Sequence, residues 1–174
     1  MIAGRTGAGW LSDVELVPIP TNNDFCDPLD LEYTVEDHAS IGTPDGILTC
    51  GGRTLNGPTS KTISKCVFQT KEGQTTSFPS MKRGRVGFRL GIVNDVAYAI
   101  GGDDDSYGVD ITMEKINFQN DSKWNLTTIF SQFKNNYYFL QFSVQGHCLA
   151  TTKNSLVVTG GSGRNGVSKN ILSF

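Results

Sequence analysis

The residues best suited to chemistry in this chain of 174 residues are four cysteines, two histidines and one run of three acids. A nucleophile–histidine–carboxylate triad would have to use His38 or His147, and both fall in segments with the pattern of strands. Cys148 follows His147, but neighbouring residues of a strand point to opposite faces, so these two side chains do not form a catalytic pair. The sequence therefore predicts no catalytic centre, and we expect that the protein is not an enzyme.

The spacing of the same residues also argues against a metal or a cofactor. The cysteines lie at positions 26, 50, 66 and 148 without a C-x-x-C pair, and the histidines are isolated, which does not match a zinc site. The run 103–105 (DDD) could attract calcium, but consecutive acids usually lie in a solvated loop. Gly161, Gly163 and Gly166 fit a G-x-G-x-x-G pattern, yet a strand-like run and not a helix follows them. We expect no metal and no cofactor.

The charge balance and the hydropathy pattern exclude two classes of partner. Fifteen Lys and Arg against 17 Asp and Glu give a net charge of −2, so the chain has no basic surplus for a phosphate backbone. No apolar run reaches the roughly 18 to 20 residues that a membrane helix needs. Residues 1–9 (MIAGRTGAG) lack the pattern of a signal peptide. Neither nucleic acid nor membrane insertion is predicted.

Most of these residues lie in or beside short predicted strands, which are arranged as a repeat. Three short apolar runs share one pattern, in which the run ends in a glycine pair: ILTCGG at 47–52, AYAIGG at 97–102 and LVVTGG at 156–161. The segments 63–69 and 113–119 also match at an offset of 50 residues, and residues 2–16 look like a worn copy of the same unit. The pairs Gly51–Gly52, Gly101–Gly102 and Gly160–Gly161 are interpreted as structural, because a crowded strand end followed by a sharp turn with positive φ favours glycine.

A period near 50, with an apolar strand, a glycine pair and a second strand, resembles the kelch repeat, in which four antiparallel strands form one blade of a β-propeller. Trp124 lies where such a repeat carries a structural tryptophan, and residues 80–85 (SMKRGR) resemble the turn before a first strand. The resemblance implies an all-β fold, a kelch-type propeller of about three to four four-stranded blades in an incomplete arc. It implies a single domain over 1–174, with blades at 1–35 (partial), 36–85, 86–141 and 142–174 (partial).

Within the implied blades, first strands are expected at 36–42, 86–93 and 142–151, and third strands at 14–19, 63–68 and 113–118. A fourth strand with an enlarged loop is expected within 127–140. Because an arc leaves the faces of its terminal blades bare, we expect missing blades from a longer parent chain or self-association.

Cys50 and Cys66 fall on adjacent second and third strands, where they could form a disulfide or lie buried as two small apolar residues. The kelch resemblance favours the disulfide, since similar chains with a Cys-Gly-Gly strand carry a second cysteine on the next strand. Whether Cys26 and Cys148 pair is left open. Asn120 and Asn125 begin glycosylation sequons. Together these features favour an extracellular over a cytoplasmic location.

The family resemblance further implies a non-catalytic scaffold for protein–protein interaction, which presents the loops between second and third strands to a partner. These loops are expected at 5–11, 53–62, 103–110 and 162–167, and the candidate binding residues on and beside them are Arg5, Trp10, Arg53, Arg83, Arg85, Asp103, Tyr107 and Arg164. The alternative is a carbohydrate-binding or propeller-enzyme fragment related to galactose oxidase-like proteins. That alternative would need convergent His, Tyr or carboxylate groups, or exposed aromatic rings, of which Trp10 and Tyr107 are the loop candidates.

Overall fold

The structure is a computed structural model that describes residues 35–54, 60–105, 112–127 and 146–162 with their side chains. Several short strands outside these ranges are described by their backbone. Every element in the described part of the chain is a β-strand, and all pairings are antiparallel. The predicted all-β class is therefore confirmed.

In chain order, the strands are β1 (Arg5–Thr6), β2 (Gly9–Trp10), β3 (Asp13–Val14), β4 (Leu29–Asp30), β5 (Ala39–Thr43), β6 (Gly46–Cys50), β7 (Arg53–Asn56), β8 (Thr59–Thr62), β9 (Cys66–Thr70), β10 (Thr75–Phe78), β11 (Arg89–Val93), β12 (Val96–Ile100), β13 (Asp103–Asp104), β14 (Gly108–Val109), β15 (Thr112–Asn117), β16 (Asn125–Thr128), β17 (Cys148–Thr151), β18 (Leu156–Thr159), β19 (Ser162–Gly163), β20 (Gly166–Val167) and β21 (Ile171–Ser173).

Three larger sheets repeat one topology. Sheet 1 has the order β5-β6-β9-β10, sheet 2 has the order β11-β12-β15-β16, and sheet 3 has the order β17-β18-β21. In each sheet a two-stranded hairpin is inserted between the second and the third strand: β7–β8, β13–β14 and β19–β20. Near the start of the chain, the hairpin β1–β2 likewise precedes a strand pair, β3–β4. The first strand of sheet 2, β11, contacts β5 on one side and β17 on the other.

The glycine pairs end the second strands with one backbone geometry. Their first members have φ of 63°, 67° and 69°, and their second members have φ of 99°, 97° and 102° (Gly51–Gly52, Gly101–Gly102 and Gly160–Gly161 respectively). A new strand begins at the next residue each time, at Arg53, Asp103 and Ser162. The expectation of positive φ is met, and this conformation explains why glycine recurs at these positions. We call this end of the sheets the glycine end.

The opposite end of the sheets, called the turn end, carries the turns between first and second strands. Between β11 and β12, Asn94 and Asp95 have φ of 51° and 60°. Positive φ at both central residues is typical of a type I′ turn, whose twist suits a two-residue hairpin. The third strands run from the glycine end to the turn end, because Cys66 pairs with Cys50 and Thr70 pairs with Gly46.

The third strands are the elements whose predicted register is wrong. The offset of 50 residues makes Ile116 the counterpart of Cys66, but Cys50 faces Cys66 whereas Ile100 faces Met113. Met113 is thus the structural counterpart of Cys66, and β9 begins at Cys66 instead of Ile63. The cause is the longer inserted hairpin of sheet 1, β7–β8. The fourth strand of sheet 2 is Asn125–Thr128, and the rest of the predicted segment lies outside the described residues.

Two apolar clusters fill the spaces between the sheets. The first seam, between sheets 1 and 2, buries Leu48, Phe88 and Trp124. The indole Nε1–H of Trp124 donates to the carbonyl oxygen of Pro79 at 2.7 Å, which ties the end of sheet 2 to the segment leaving sheet 1. The second seam, between sheets 2 and 3, buries the side chains of Val93, Ile100, Met113, Leu156 and Val158.

Cys50 and Cys66 form the predicted disulfide. They are directly opposed on β6 and β9, their Cα atoms are 4.1 Å apart, and both are buried. The bond joins the two central strands of sheet 1 beneath the hairpin β7–β8. Cys148, on the edge of sheet 3, is a free and exposed thiol.

Reduction of this disulfide is expected to lower the free energy of unfolding by about 3 kcal/mol, since it closes a loop of 16 residues in sequence separation. Urea unfolding with and without a reductant measures the loss, in a Cys148→Ser background that removes the exposed thiol. A Cys50→Ala/Cys66→Ala variant should show the lowered stability and no response to the reductant. Equal midpoints for the oxidised and reduced protein would contradict this role.

Candidate interaction surface

The hairpins at the glycine end are held in place by matching backbone contacts. Arg53, the first residue of β7, exchanges two backbone hydrogen bonds with Glu36, at 2.9 and 3.0 Å. Asp103, the first residue of β13, does the same with Val86, also at 2.9 and 3.0 Å. In both sheets the hairpin is therefore anchored to the residue that leads into the first strand, so that each sheet projects its hairpin in the same way.

The two hairpins are also joined to each other, by side chains that we call the hairpin clasp: Arg53, Thr62 and Asp105. One carboxylate oxygen of Asp105 lies 3.5 Å from a guanidinium nitrogen of Arg53. Its other oxygen accepts hydrogen bonds from the backbone N–H of Thr62 at 2.6 Å and from the Thr62 hydroxyl at 3.0 Å. Neighbouring hairpins are therefore linked directly by polar side chains.

The clasp responds to pH because the Thr62 backbone N–H bonded to Asp105 lowers the pKa of this carboxyl. Burial opposes this shift as the second-largest effect, and the Thr62 hydroxyl and the charges of Arg53 and Lys61 lower the pKa further. A carboxyl whose folded-state pKa lies below its ordinary value of 3.8 stabilises the fold above that pH, and this contribution is lost as the pH falls through the folded-state pKa.

Accordingly, Asp105→Asn is expected to be less stable than the wild type at neutral pH, and the difference should shrink as the pH falls below about 4. Thermal melting of both proteins between neutral and acid pH measures it. Asp45→Asn, in an exposed turn of sheet 1, is the control for removing one acid. A difference between Asp105→Asn and wild type that stays constant down to acid pH would contradict the clasp.

Arg85, one of the predicted binding residues, is not on this surface. Its side chain is fully buried and lies 3.2 Å from the equally buried carboxylate of Glu114 on β15. The guanidinium also donates to the carbonyl oxygens of Gly101 at 2.7 Å and Thr112 at 3.2 Å, and to the Thr112 hydroxyl at 2.8 Å. The prediction for Arg85 is therefore corrected: its donors are used inside the protein, where no partner can reach them.

Glu114 completes this buried network. Its carboxylate accepts the backbone N–H groups of Lys82 at 2.6 Å and Arg83 at 3.2 Å. The turn that links sheet 1 to sheet 2 is thus fastened to the third strand of sheet 2. A signal for this was present in the sequence, since Glu114 shares a strand face with Ile116, and an acid on an apolar face requires a buried partner.

The other predicted binding residues differ in their location and in how far the structure describes them. Arg53 belongs to the hairpin clasp and its side chain keeps 32% of its exposure, while Asp103 and Arg83 are half-buried. Arg5 and Trp10 are backbone register partners in the β1–β2 hairpin, which is described by its backbone. Tyr107 and Arg164 lie outside the described residues. The structure thus brings Arg53 and Asp103 to neighbouring hairpins and adds Thr62 and Asp105, which the sequence reasoning missed.

No group of three or more His, Cys, Asp or Glu side chains among the described residues is arranged to hold a metal ion. His38 is largely buried, and burial lowers the pKa of its imidazole, while the nearby charge of Asp37 opposes this shift. His147 is fully buried. Within the same part of the chain, no helix could span a lipid bilayer.

The two sequons differ in their surroundings. Asn120 is exposed in the turn between β15 and β16. Asn125 lies on β16 and its side-chain amide donates to the carboxylate of Asp121 at 3.4 Å and to the carbonyl of Lys123 at 3.5 Å. Glycosylation of either residue stays a prediction.

No family model matches this chain, and no curated protein is similar to it.

Proposed function

We propose that this chain is an arc of a kelch-type β-propeller that acts as a non-catalytic scaffold for a protein partner. Three features support the propeller: the repeated up-and-down sheets, the contacts of β11 with both neighbouring first strands, and the glycine pairs that end each second strand. In a propeller the first strands of adjacent blades lie side by side around the axis. The buried disulfide supports an extracellular location.

The observation that carries the binding role is the hairpin clasp. Loops on a rigid scaffold are common sites of recognition, because the scaffold removes the entropy cost of ordering them on binding. Here the clasp links the inserted hairpins of sheets 1 and 2, and the buried Arg85–Glu114 pair fastens the turn beneath them. Among the described residues, this surface carries both signs of charge, with Lys61 exposed next to Asp105. A folded protein with complementary polar groups suits such a surface.

Site-specific photo-crosslinking tests this proposal. A photoreactive side chain replaces Lys61 at the glycine end, and in a matched control it replaces Lys71, an exposed residue in the turn between β9 and β10 at the turn end. Both proteins are exposed to an extracellular protein mixture, and the products are identified by mass spectrometry. We expect a discrete adduct from the Lys61 position and none from the Lys71 position. Equal labelling from both positions would place the partner elsewhere.

A further inference from the structure

The two seams between the sheets differ at matched positions. In sheet 1, Phe68 faces Leu48 and Phe78 faces Cys66. The rings of Phe68 and Phe78 are 6.3 Å apart, and that of Phe78 is 5.6 Å from Phe118 of sheet 2, so three aromatic rings close the first seam.

In sheet 2, the same two register positions carry Lys115, which faces Tyr98, and Thr127, which faces Met113. Sheet 2 thus has a lysine and a threonine at the positions where sheet 1 has two phenylalanines. An exposed ammonium group does not fill an apolar seam, because it keeps its hydration and leaves the space beside its stem open. The second seam is therefore less filled towards the turn end than the first.

A cleft of about 340 Å³ is the result. Its floor is apolar and combines Val96 and Met113 of sheet 2 with Leu156 of sheet 3. Its polar rim includes the side chains of Tyr98, Lys115 and Asn154. This volume is at the lower end of the range of about 300 to 1,000 Å³ for small-molecule sites, which also combine an apolar body with a few polar groups.

Lys115 supplies a positive charge to the rim of the cleft. Its side chain is exposed, and within the described part of the chain it forms no ion pair. Asp95, on the adjacent turn, accepts a hydrogen bond from the Gln119 amide at 3.4 Å. A cation above an apolar floor favours a ligand with a negative group and a hydrophobic body.

We propose that this cleft binds a small organic anion with an apolar or aromatic body. The apolar body rests on Val96, Met113 and Leu156, while the anionic group meets the ammonium of Lys115 and the hydroxyl of Tyr98. The site is at the turn end, opposite the hairpins, and it does not depend on the proposed interaction surface.

Two fluorescent probes that differ in charge test the proposal on the full chain. Anilinonaphthalene sulfonate carries the negative group, and N-phenylnaphthylamine has a similar aromatic body without it. The wild type is expected to bind the sulfonate saturably at one site. Lys115→Glu should weaken sulfonate binding about fivefold, because the variant replaces an exposed attraction with repulsion, and it should leave the neutral probe unchanged.

Filling the cleft provides the second test. Asn154→Trp, on the rim, should abolish binding of both probes, whereas Lys153→Trp, an exposed neighbour outside the lining, should abolish neither. Lys123→Glu, an exposed lysine in the turn between β15 and β16, controls for net charge. Non-saturable sulfonate binding by the folded wild type, or an equal effect of Lys115→Glu and Lys123→Glu, would overturn the proposal.

Discussion

Replacing Arg85 with methionine is expected to lower the free energy of unfolding by about 3 to 5 kcal/mol, the range for removing one partner of a buried ion pair. Methionine keeps much of the side-chain volume but none of the donors. The carboxylate of Glu114 would then be buried without its cation, although it would keep the N–H groups of Lys82 and Arg83. The carbonyl of Gly101 would also lose its hydrogen bond from the guanidinium.

Urea unfolding measures this loss, with Lys82→Met as the control because the Lys82 side chain is exposed in the same turn. Glu114→Gln should also destabilise the protein. In a double-mutant cycle, Arg85→Met/Glu114→Gln should cost less than the sum of the two single changes, since neither charge is then left alone. Strict additivity would mean that the two side chains do not act as a pair.

Gly51→Ala is expected to destabilise the protein more than Gly160→Ala, although both residues have nearly the same φ. Alanine in the left-handed region costs about 1 to 2 kcal/mol at either position. At Gly51 an added Cβ would also lie 2.6 Å from a ring carbon of Phe88 and 2.8 Å from the carbonyl oxygen of Arg85. Crowding of this kind adds about 1 to 3 kcal/mol.

Gly160 is the matched control, because no described atom lies within 4 Å of the corresponding Cβ position. Denaturant midpoints of the two variants and the wild type separate the conformational cost from the crowding cost. If both alanine variants lost the same stability, packing against Phe88 would not be part of the reason for glycine in the first pair.

The glycine geometry could be predicted because it rests on a local pattern, and the strand order because the kelch resemblance implied it. An apolar run that ends in two glycines specifies a strand and a positive-φ turn without reference to the rest of the chain, and the structure has both at Gly51 and Gly101. The disulfide was predicted correctly although its assumed register was wrong. Its basis was the placement of Cys50 and Cys66 on adjacent strands together with the kelch resemblance, and neither requires the exact offset between repeats.

Features that depend on contacts distant in sequence could not be predicted in this way. In the sequence, Arg85 has the pattern of a solvated turn residue. Its partner Glu114 lies on β15, and only the folded structure shows that the two side chains are in contact. The clasp requires Thr62 and Asp105 to meet across two hairpins, and neither residue has a local signal for that contact. The cleft reflects Lys115 in the position that Phe68 occupies in sheet 1, and this equivalence is apparent only when the shifted register of the third strands is known.

Trp124 makes the first seam observable in solution. Its indole is fully buried and bonded to Pro79, so its fluorescence emission should lie at short wavelength while sheets 1 and 2 remain together. In a Trp10→Phe background, Trp124 is the sole tryptophan. A shift of the emission to longer wavelength would then report that water has entered between these sheets. Comparison with the far-ultraviolet circular dichroism would show whether the two sheets separate before their strands unfold.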